Sequence, residues 1–328
     1  MSLESILSAL KPNIVTINET HYSGNKRISL RGYSTLSRNR ISSAGGGIAT
    51  ATRLDNKDDV LKVAEGEGND EYIITRHSQF RVPINVINIY GECESRYSKG
   101  EIEEKWLRIE TEIRKIELKG EYVILCGDFN KHLGNLVKDN HNKISYGGNL
   151  VRNFLSSKNY SLLNASDKTE GGPFTWYNPT NPKDNSLKSC IDLIIASNDL
   201  VKYLNKVTID KHLNFTPSRP VGNSKLRYTD HYAILVQFKN LPMRSENEKE
   251  KKVKIWNLNK EDGWENYKQL TENNSALRDI ALSENKSTTE MMKKLDNEVT
   301  KVKFRAFGKV STRSGCMSDP TLIALQRE

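Results

Sequence analysis

The stretch EYVILCGDFNKHLG, residues 121–134, poses the question that decides the fold. Tyr122 to Leu125 is a run of strand-forming side chains that belongs in a packed core. The run stops at Cys126-Gly127 and delivers Asp128 and Asn130, two positions apart. In an extended chain, residues i and i+2 face the same side. A carboxylate and a carboxamide then stand together, while Phe129 points the other way, into the core. Gly127 carries no side chain and permits a sharp exit from the strand. Two readings stay open here. One is an ordinary Gly-Asp turn, with the Asp side chain capping the loop. The other is a rigid strand holding two polar groups over a site.

Working outward, residues 3–10 predict a helix, with Ile6, Leu7 and Leu10 on one face and Pro12 after its end. NIVTINET is a short strand, and AGGGIATATRL is a glycine turn feeding a second. EYIITRHSQF and PINVINIYGE are further strands. Residues 99–119 predict a helix, because Ile102, Trp106, Ile109, Ile113 and Ile116 recur at helical spacing. Beyond the opening stretch, 148–158 reads as a helix and SLLNAS as a short strand. GGPFTWYNP reads as a turn and a strand, SCIDLIIAS as a buried strand, and HYAILVQF (231–238) as the last strong one. Strands and helices mix throughout residues 1–239, which argues one α/β unit with several antiparallel pairs. A charged linker spans 240–254, and a helical tail spans 255–328, with Met292, Leu295, Val299 and Val302 forming an apolar stripe.

Several strands end in chemistry. Asp192 opens an apolar run without alternation, so its strand is buried on both faces and its carboxylate needs a partner. Asp230 and His231 stand immediately before the last strand, and His231 suits Asp192, since a buried carboxylate favours the charged imidazole. Glu19 ends the NIVTINET strand and Tyr90 ends the INVINIY strand. Strands that end together build a common floor. Carboxylates gathered there would bind a hard cation, and oxygen ligands favour Mg2+ or Mn2+.

Composition narrows the partners. The net charge is +9, from 50 Lys and Arg against 41 Asp and Glu, and 36% of residues are hydrophobic. Residues 25–40 carry five basic side chains and no acid, and 211–227 carry four and no acid. Two readings of this charge stay open: a polyanionic partner such as nucleic acid, and a basic surface that merely keeps the protein soluble. No apolar run approaches a membrane span and no signal peptide is read, so a membrane partner is not expected. Cys93, Cys126, Cys190 and Cys316 have no CxxC spacing, which argues against zinc and for a reducing, intracellular compartment.

INET at 17–20, INIYGE at 87–92, GDFN at 127–130, SCIDLIIAS at 189–197 and YTDHYAI at 228–234 together resemble the endonuclease/exonuclease/phosphatase superfamily, in that family's order. GDFN alone is weakly specific; the five motifs in order are specific. They look most like the AP-endonuclease-like domains of non-LTR (LINE-type) retrotransposon polyproteins. AGGGIATATR after a basic strand, GGPFTWYNP before the Asp192 strand, and WNLNKEDGWENYKQL after the domain add to that resemblance. It covers residues 1–239 well and the tail loosely. It implies a four-layer sandwich: two packed mixed β-sheets flanked by helices. By position, it implies that Glu19 binds the metal and that Asp230 sits near it. Asp128 would align or deprotonate the attacking water, and Asn130 would orient it. Tyr90 would donate to the phosphate, and Asp192 would hold His231 against the phosphate oxygens. The implied activity is Mg2+-dependent nicking of DNA that leaves a 3′-hydroxyl able to prime reverse transcription, with residence in the nucleus.

The resemblance also carries a departure. The family begins with a strand bearing an Asn that helps organise the metal and water, and this chain begins at the helix after it. One sheet is then expected to lack a strand, and the tail reads as leading towards an absent reverse transcriptase. Two further functions stay open beside the nuclease: a weakened or inactive DNA-binding remnant, and a phosphoester phosphatase of the same fold.

Overall fold

The computed structural model describes residues 2–22, 24, 26, 28–39, 46–55, 60–67, 70–137, 143–181, 183–221, 225–244, 254–256, 262–281, 288–307 and 309–311. Most of the linker expected over 240–254, part of the basic segment 25–40 and residues 312–328 lie outside them. The chain divides into two compact units, Met1–Arg244 and Ser245–Glu328.

In the first unit the strands are β1 (Ile14–Asn18), β2 (Tyr33–Arg38), β3 (Ile48–Arg53), β4 (Val60–Glu65), β5 (Glu71–His77), β6 (Ile84–Tyr90), β7 (Tyr122–Asp128) and β8 (Tyr160–Leu162). They continue as β9 (Thr169–Glu170), β10 (Trp176–Tyr177), β11 (Lys188–Ser189), β12 (Asp192–Ser197), β13 (Leu204–Ile209), β14 (Ser218–Val221), β15 (Lys225–Tyr228) and β16 (Ile234–Phe238). The opening stretch is β7, at the centre of a six-stranded sheet ordered β4-β5-β6-β7-β12-β8. β6 runs parallel to β7, and β12 runs antiparallel to it. A parallel neighbour needs a crossover. That crossover is helix α2 (Lys99–Glu117), following α1 (Leu3–Leu10) in the chain.

One face of this sheet is covered by α2 and by α3 (Tyr146–Ser157). Ile109, Ile113 and Ile116 of α2 and Val151 and Phe154 of α3 pack on Ile87, Ile89, Val123, Leu125, Leu193 and Ile195. Each such side chain contributes about 1.5–3 kcal/mol by leaving water. The Ser98 and Glu101 side chains and backbones close a capping box that sets where α2 starts. The opposite face, with Ile84, Val86, Cys126, Ile194 and Ala196, packs against a second layer of strands. That layer supplies Ile14 of β1, Leu204 and Val207 of β13, and Ile234, Val236 and Phe238 of β16. Outside it, Leu7 of α1 packs on Ala51, Val15 and Ile17. The order is therefore helix, sheet, sheet, helix, as the motif resemblance implied, and both strand layers are mixed.

The second layer departs from the expectation of one continuous sheet. It consists of two three-stranded sheets, β1-β3-β2 and β16-β13-β9. Several boundaries also shift. HYAILVQF becomes a strand only at Ile234, α3 starts two residues early at Tyr146, and SLLNAS turns into a 3-10 helix at Leu163–Ala165. β4 and β13 escaped the sequence reading, because VLKVAE and LNKVTI place charged or amide side chains within the run. Asn88 of β6 is buried and donates to the Ala49 carbonyl of β3 at 2.9 Å, a polar tie between the two layers. In the second unit, helices Gly263–Glu272, Ser275–Ala281 and Thr288–Phe307 accompany the strand pair Lys254–Trp256 and Lys309–Ser311. Of its expected stripe, Val302 is buried and Leu295 is exposed, while the Met292 side chain is not among those described.

Gly127 fixes how β7 leaves the sheet. Its φ is +130°, and a Cβ there would meet the Ile89 carbonyl of β6. Gly127→Ala is expected to destabilise the first unit by about 2–3 kcal/mol through strain and overpacking, read as a lower urea midpoint at unchanged slope.

Candidate active site

Register brings the site together. Tyr90 of β6 and Asp192 of β12 are both direct partners of Asp128 on β7. A phenol and two carboxylates therefore end three adjacent strands at one edge of the sheet. From the stacked layer, β1 ends at Asn18 and presents Glu19, whose φ of 54° turns the chain out of the strand. Asp230 and His231 lie just before β16, and His231 forms a β-bridge with Trp176 of β10. Glu19, Asp128, Asp192, Asp230 and His231 line one cleft.

Asp128 is 4% exposed. Its Oδ1 accepts from the Asn130 backbone N at 2.8 Å, and its Oδ2 accepts from Asn130 Nδ2 at 3.0 Å. Asn130 is not in the extended chain that sequence spacing suggested. It is left-handed, with φ 51°, and its Nδ2 also donates to the Gly91 carbonyl at 3.0 Å. Both open readings of the opening stretch hold at once: the Asp-capped turn is what places the carboxamide beside the carboxylate. Phe129 is buried, as expected.

His231 Nδ1 lies 2.9 Å from Asp192 Oδ2 and 3.1 Å from Oδ1. Asp192 is held by its backbone: its N–H donates to Thr175 Oγ1 at 3.0 Å, and its carbonyl accepts from Asn164 Nδ2 at 3.0 Å. The Tyr90 hydroxyl donates to Glu19 Oε1. Trp176 Nε1 donates to Asp230 Oδ2 at 3.1 Å. All seven residues singled out in the sequence thus belong to one connected group. Four others were missed. Thr175, Asn164 and Trp176 hold Asp192 and Asp230, and Asn18 ties β1 to the Ile89 carbonyl at 2.7 Å. Only GGPFTWYNP, flagged as a turn and a strand, hinted at them; nothing in the pattern distinguishes a supporting Thr or Asn from a surface one.

The electrostatics follow from burial and from excess negative charge. Burial first, then the Asp192 carboxylate, push Asp128 well above the usual carboxylate range, to about 7. Burial alone would lower His231, but the charge and hydrogen bond of Asp192, helped by Asp128 and Asp230, override it and raise the imidazole to about 10. Burial and the hydrogen bond to Glu19 push the Tyr90 phenol up, so it keeps its proton. Ligand atoms of Asp128, Asp192 and His231 lie within 4.8 Å of one another, a group able to hold a metal ion. Glu19 and Asp230, the acids expected to bind metal, line the same cleft outside that tight triad. The donor set fits a hard divalent cation, because carboxylate oxygens dominate it.

The family model described as "Endonuclease/Exonuclease/phosphatase family" matches residues 2–231. Among solved structures, a 3′-5′ exonuclease from Neisseria meningitidis is similar at 20% identity and TM-score 0.55, covering 72% of this chain and 93% of its own. A 3′ phosphatase from Neisseria bound to product DNA hairpin is similar at 20% identity and TM-score 0.53, covering 73% and 96%. The APE2 catalytic domain of Xenopus laevis is similar at 16% identity and TM-score 0.59, covering 75% and 89%. No curated protein matches the chain. Among the described residues no helix is long and apolar enough to cross a membrane.

Asp192→Asn removes the charge facing His231. The imidazole pKa, followed by NMR, is expected to fall from about 10 towards the ordinary value of about 6.5. The sign for stability follows from linkage. A raised His contributes stability fully below its unfolded pKa, near 6.5, and loses it as pH rises through its folded pKa. The native protein should therefore lose this increment between about pH 6.5 and pH 10, and Asp192→Asn should lack most of that slope.

Proposed function

The chain belongs to the endonuclease/exonuclease/phosphatase family, and from that premise we propose that it hydrolyses phosphodiester bonds, nicking DNA to leave a 3′-hydroxyl and a 5′-phosphate. The observation that carries this reading is the convergence of Tyr90, Asp128 and Asp192 at three adjacent strand ends with His231 paired to Asp192. Phosphodiester hydrolysis needs an activated water and donors at the equatorial oxygens, and these residues supply both.

Asp128 is the base. Its pKa near neutrality lets it take a proton from water as the water oxygen bonds to phosphorus and the P–O3′ bond breaks, the leaving O3′ taking its proton from solvent. Asn130, fixed by Asp128 and the Gly91 carbonyl, orients that water. His231 stays protonated at neutral pH and donates to a non-bridging oxygen as charge builds there. Tyr90 keeps its proton, and its hydroxyl would turn from Glu19 to donate to the same phosphate. Glu19 and Asp230 would hold Mg2+ or Mn2+, which when bound neutralises developing oxyanion charge. The substrate follows from charge: +9 overall, with basic segments at 25–40 and 211–227, favours a polyanionic duplex. The motif order and the helical tail support a non-LTR retrotransposon context, in which the 3′-hydroxyl would prime reverse transcription in the nucleus.

With supercoiled plasmid and Mg2+, the chain is expected to yield open circles. Asp128→Asn should lower the rate about 10²–10⁴-fold, and His231→Ala about 10²–10³-fold. Salt-sensitive duplex binding without nicking would instead establish the inactive remnant, and faster phosphate release from phosphoinositides would establish the phosphatase.

A second expectation concerns the cation. Because the folded pKa of Asp128 is raised, its contribution to stability is full below about pH 4 and is lost as pH rises through about 7. The Tm difference between Mg2+ and EDTA should therefore grow from pH 5 to pH 8, and Asp128→Asn should flatten it.

A further inference from the structure

The sheet edge that carries the catalytic group continues one strand beyond it. In register, Asp192 of β12 is opposite Asp128 of β7, Asp128 is opposite Tyr90 of β6, and Tyr90 is opposite Glu71, the first residue of β5. Residues in one such row point to the same side of a sheet. Glu71 is therefore a fourth polar side chain in the row, and it is 6% exposed. A buried carboxylate is costly unless a donor meets it. Here Oε1 accepts from the Gly47 backbone N–H.

Gly47 leads from Glu71 to Glu19. Gly46 and Gly47 form the turn into β3, with φ of 68° and 82°, a conformation that favours glycine. The Gly47 carbonyl accepts from the Thr20 N–H at 3.0 Å, and the Gly46 carbonyl accepts from the His21 N–H at 2.9 Å. A Cβ on Gly47 would meet Thr20 Oγ1, so the two segments lie in close approach. Glu19 and His21 are both left-handed, with φ of 54° and 55°, and stand outside the β1 ladder. The segment that presents Glu19 is thus tied twice to neighbours in one register row. Its carboxylate accepts from the Tyr90 hydroxyl, and the backbone just after it bonds to the turn that Glu71 grips.

We propose that Glu71 is a positioning residue for Glu19. By fixing the Gly46–Gly47 turn, it sets where the Glu19 carboxylate stands in the cleft, and so how tightly the site holds a divalent cation. The inference rests on the reading of Glu19 as a metal ligand. Glu71 does not line the cleft that Glu19 lines, and its bonded oxygen is engaged by a backbone N–H. It therefore acts as an acceptor and not as a ligand or a charge. Glutamine keeps an acceptor oxygen at the same reach, whereas methionine keeps the size and loses the acceptor.

The test compares Glu71→Gln and Glu71→Met with the native full chain, by Mg2+ titration calorimetry and by amide hydrogen exchange. Glu71→Met is expected to bind Mg2+ about tenfold more weakly. Its Thr20 and His21 amides should exchange about tenfold faster relative to those of β7, because their acceptors are no longer fixed. Glu71→Gln should stay within about twofold of the native chain in both measurements. Should Glu71→Met not fold, Glu71→Asp, shorter by one methylene, carries the same expectation. Four results overturn the proposal: native exchange at Thr20 and His21 in Glu71→Met, faster exchange there with native Mg2+ affinity, Glu71→Gln as impaired as Glu71→Met, or no Mg2+ binding by the native chain. Plasmid nicking decides the nuclease reading separately. A chain that binds Mg2+ in the expected order but leaves plasmid intact upholds this inference and loses that reading. A chain that nicks plasmid while Glu71→Met binds Mg2+ as the native chain does loses this inference alone.

Discussion

Asp128 is a carboxylate kept out of water at the end of the central strand, and the surroundings of that strand end answer the cost of doing so. An unpaired buried carboxylate costs several kcal/mol, or else takes up a proton. Here the charge is met in three directions: by the backbone and side-chain N–H groups of Asn130, by the imidazolium of His231, and by a gathering of acids able to hold a cation. Remove the burial and Asp128 becomes an ordinary turn residue with an ordinary pKa. The sheet supplies that burial, because β6 and β12 flank β7 and the Ile89 carbonyl lies close against Gly127.

Asp192 and His231 show the same logic one shell out. His231 is charged because Asp192 faces it, and Asp192 can stay in place because Thr175 and Asn164 grip its backbone and not its carboxylate. The carboxylate oxygens remain free for the imidazole. Trp176 does the corresponding work for Asp230, through its indole N–H. A site of this kind is set by side chains that touch no substrate, and their loss would be felt as a misplaced imidazole before it was felt as a loss of fold.

Much of this was legible in the sequence, for a definite reason. β6, β7 and β12 are apolar runs ended by a polar residue, and a polar residue at the end of a buried strand is a visible break in pattern. Tyr90, Asp128 and Asp192 were all found that way. The weak strands were not, because VLKVAE is an edge strand and LNKVTI, though central in its sheet, leaves several positions only half-buried, where charged and amide side chains are tolerated. The conformation of Asn130 was also hidden. Extended spacing put it on the correct side by the wrong route, since the left-handed turn that places it is closed by Asp128 itself. Thr175 and Asn164 could not be read at all, because their role lies in long-range hydrogen bonds that leave no periodicity.

The catalytic group is divided between two kinds of support. Tyr90, Asp128 and Asp192 stand on strands flanked on both sides and packed on both faces, so their relative positions are set by ladders that cannot shift without unpacking the helices over them. Glu19 and His231 come instead from the margins of β1 and β16, each laddered to one strand among the described residues. Side-chain bonding ties these two into the rigid half, Glu19 through Tyr90 and His231 through Asp192, beside the β-bridge of His231 to Trp176. The two ties therefore have a double role, in chemistry and in closing the site across the gap between sheets. An amide in place of Asp192 would weaken both roles, whereas one in place of Asp128 would leave both ties formed. That difference separates a group that reacts from a group that positions, and it follows from which strands are paired on both sides.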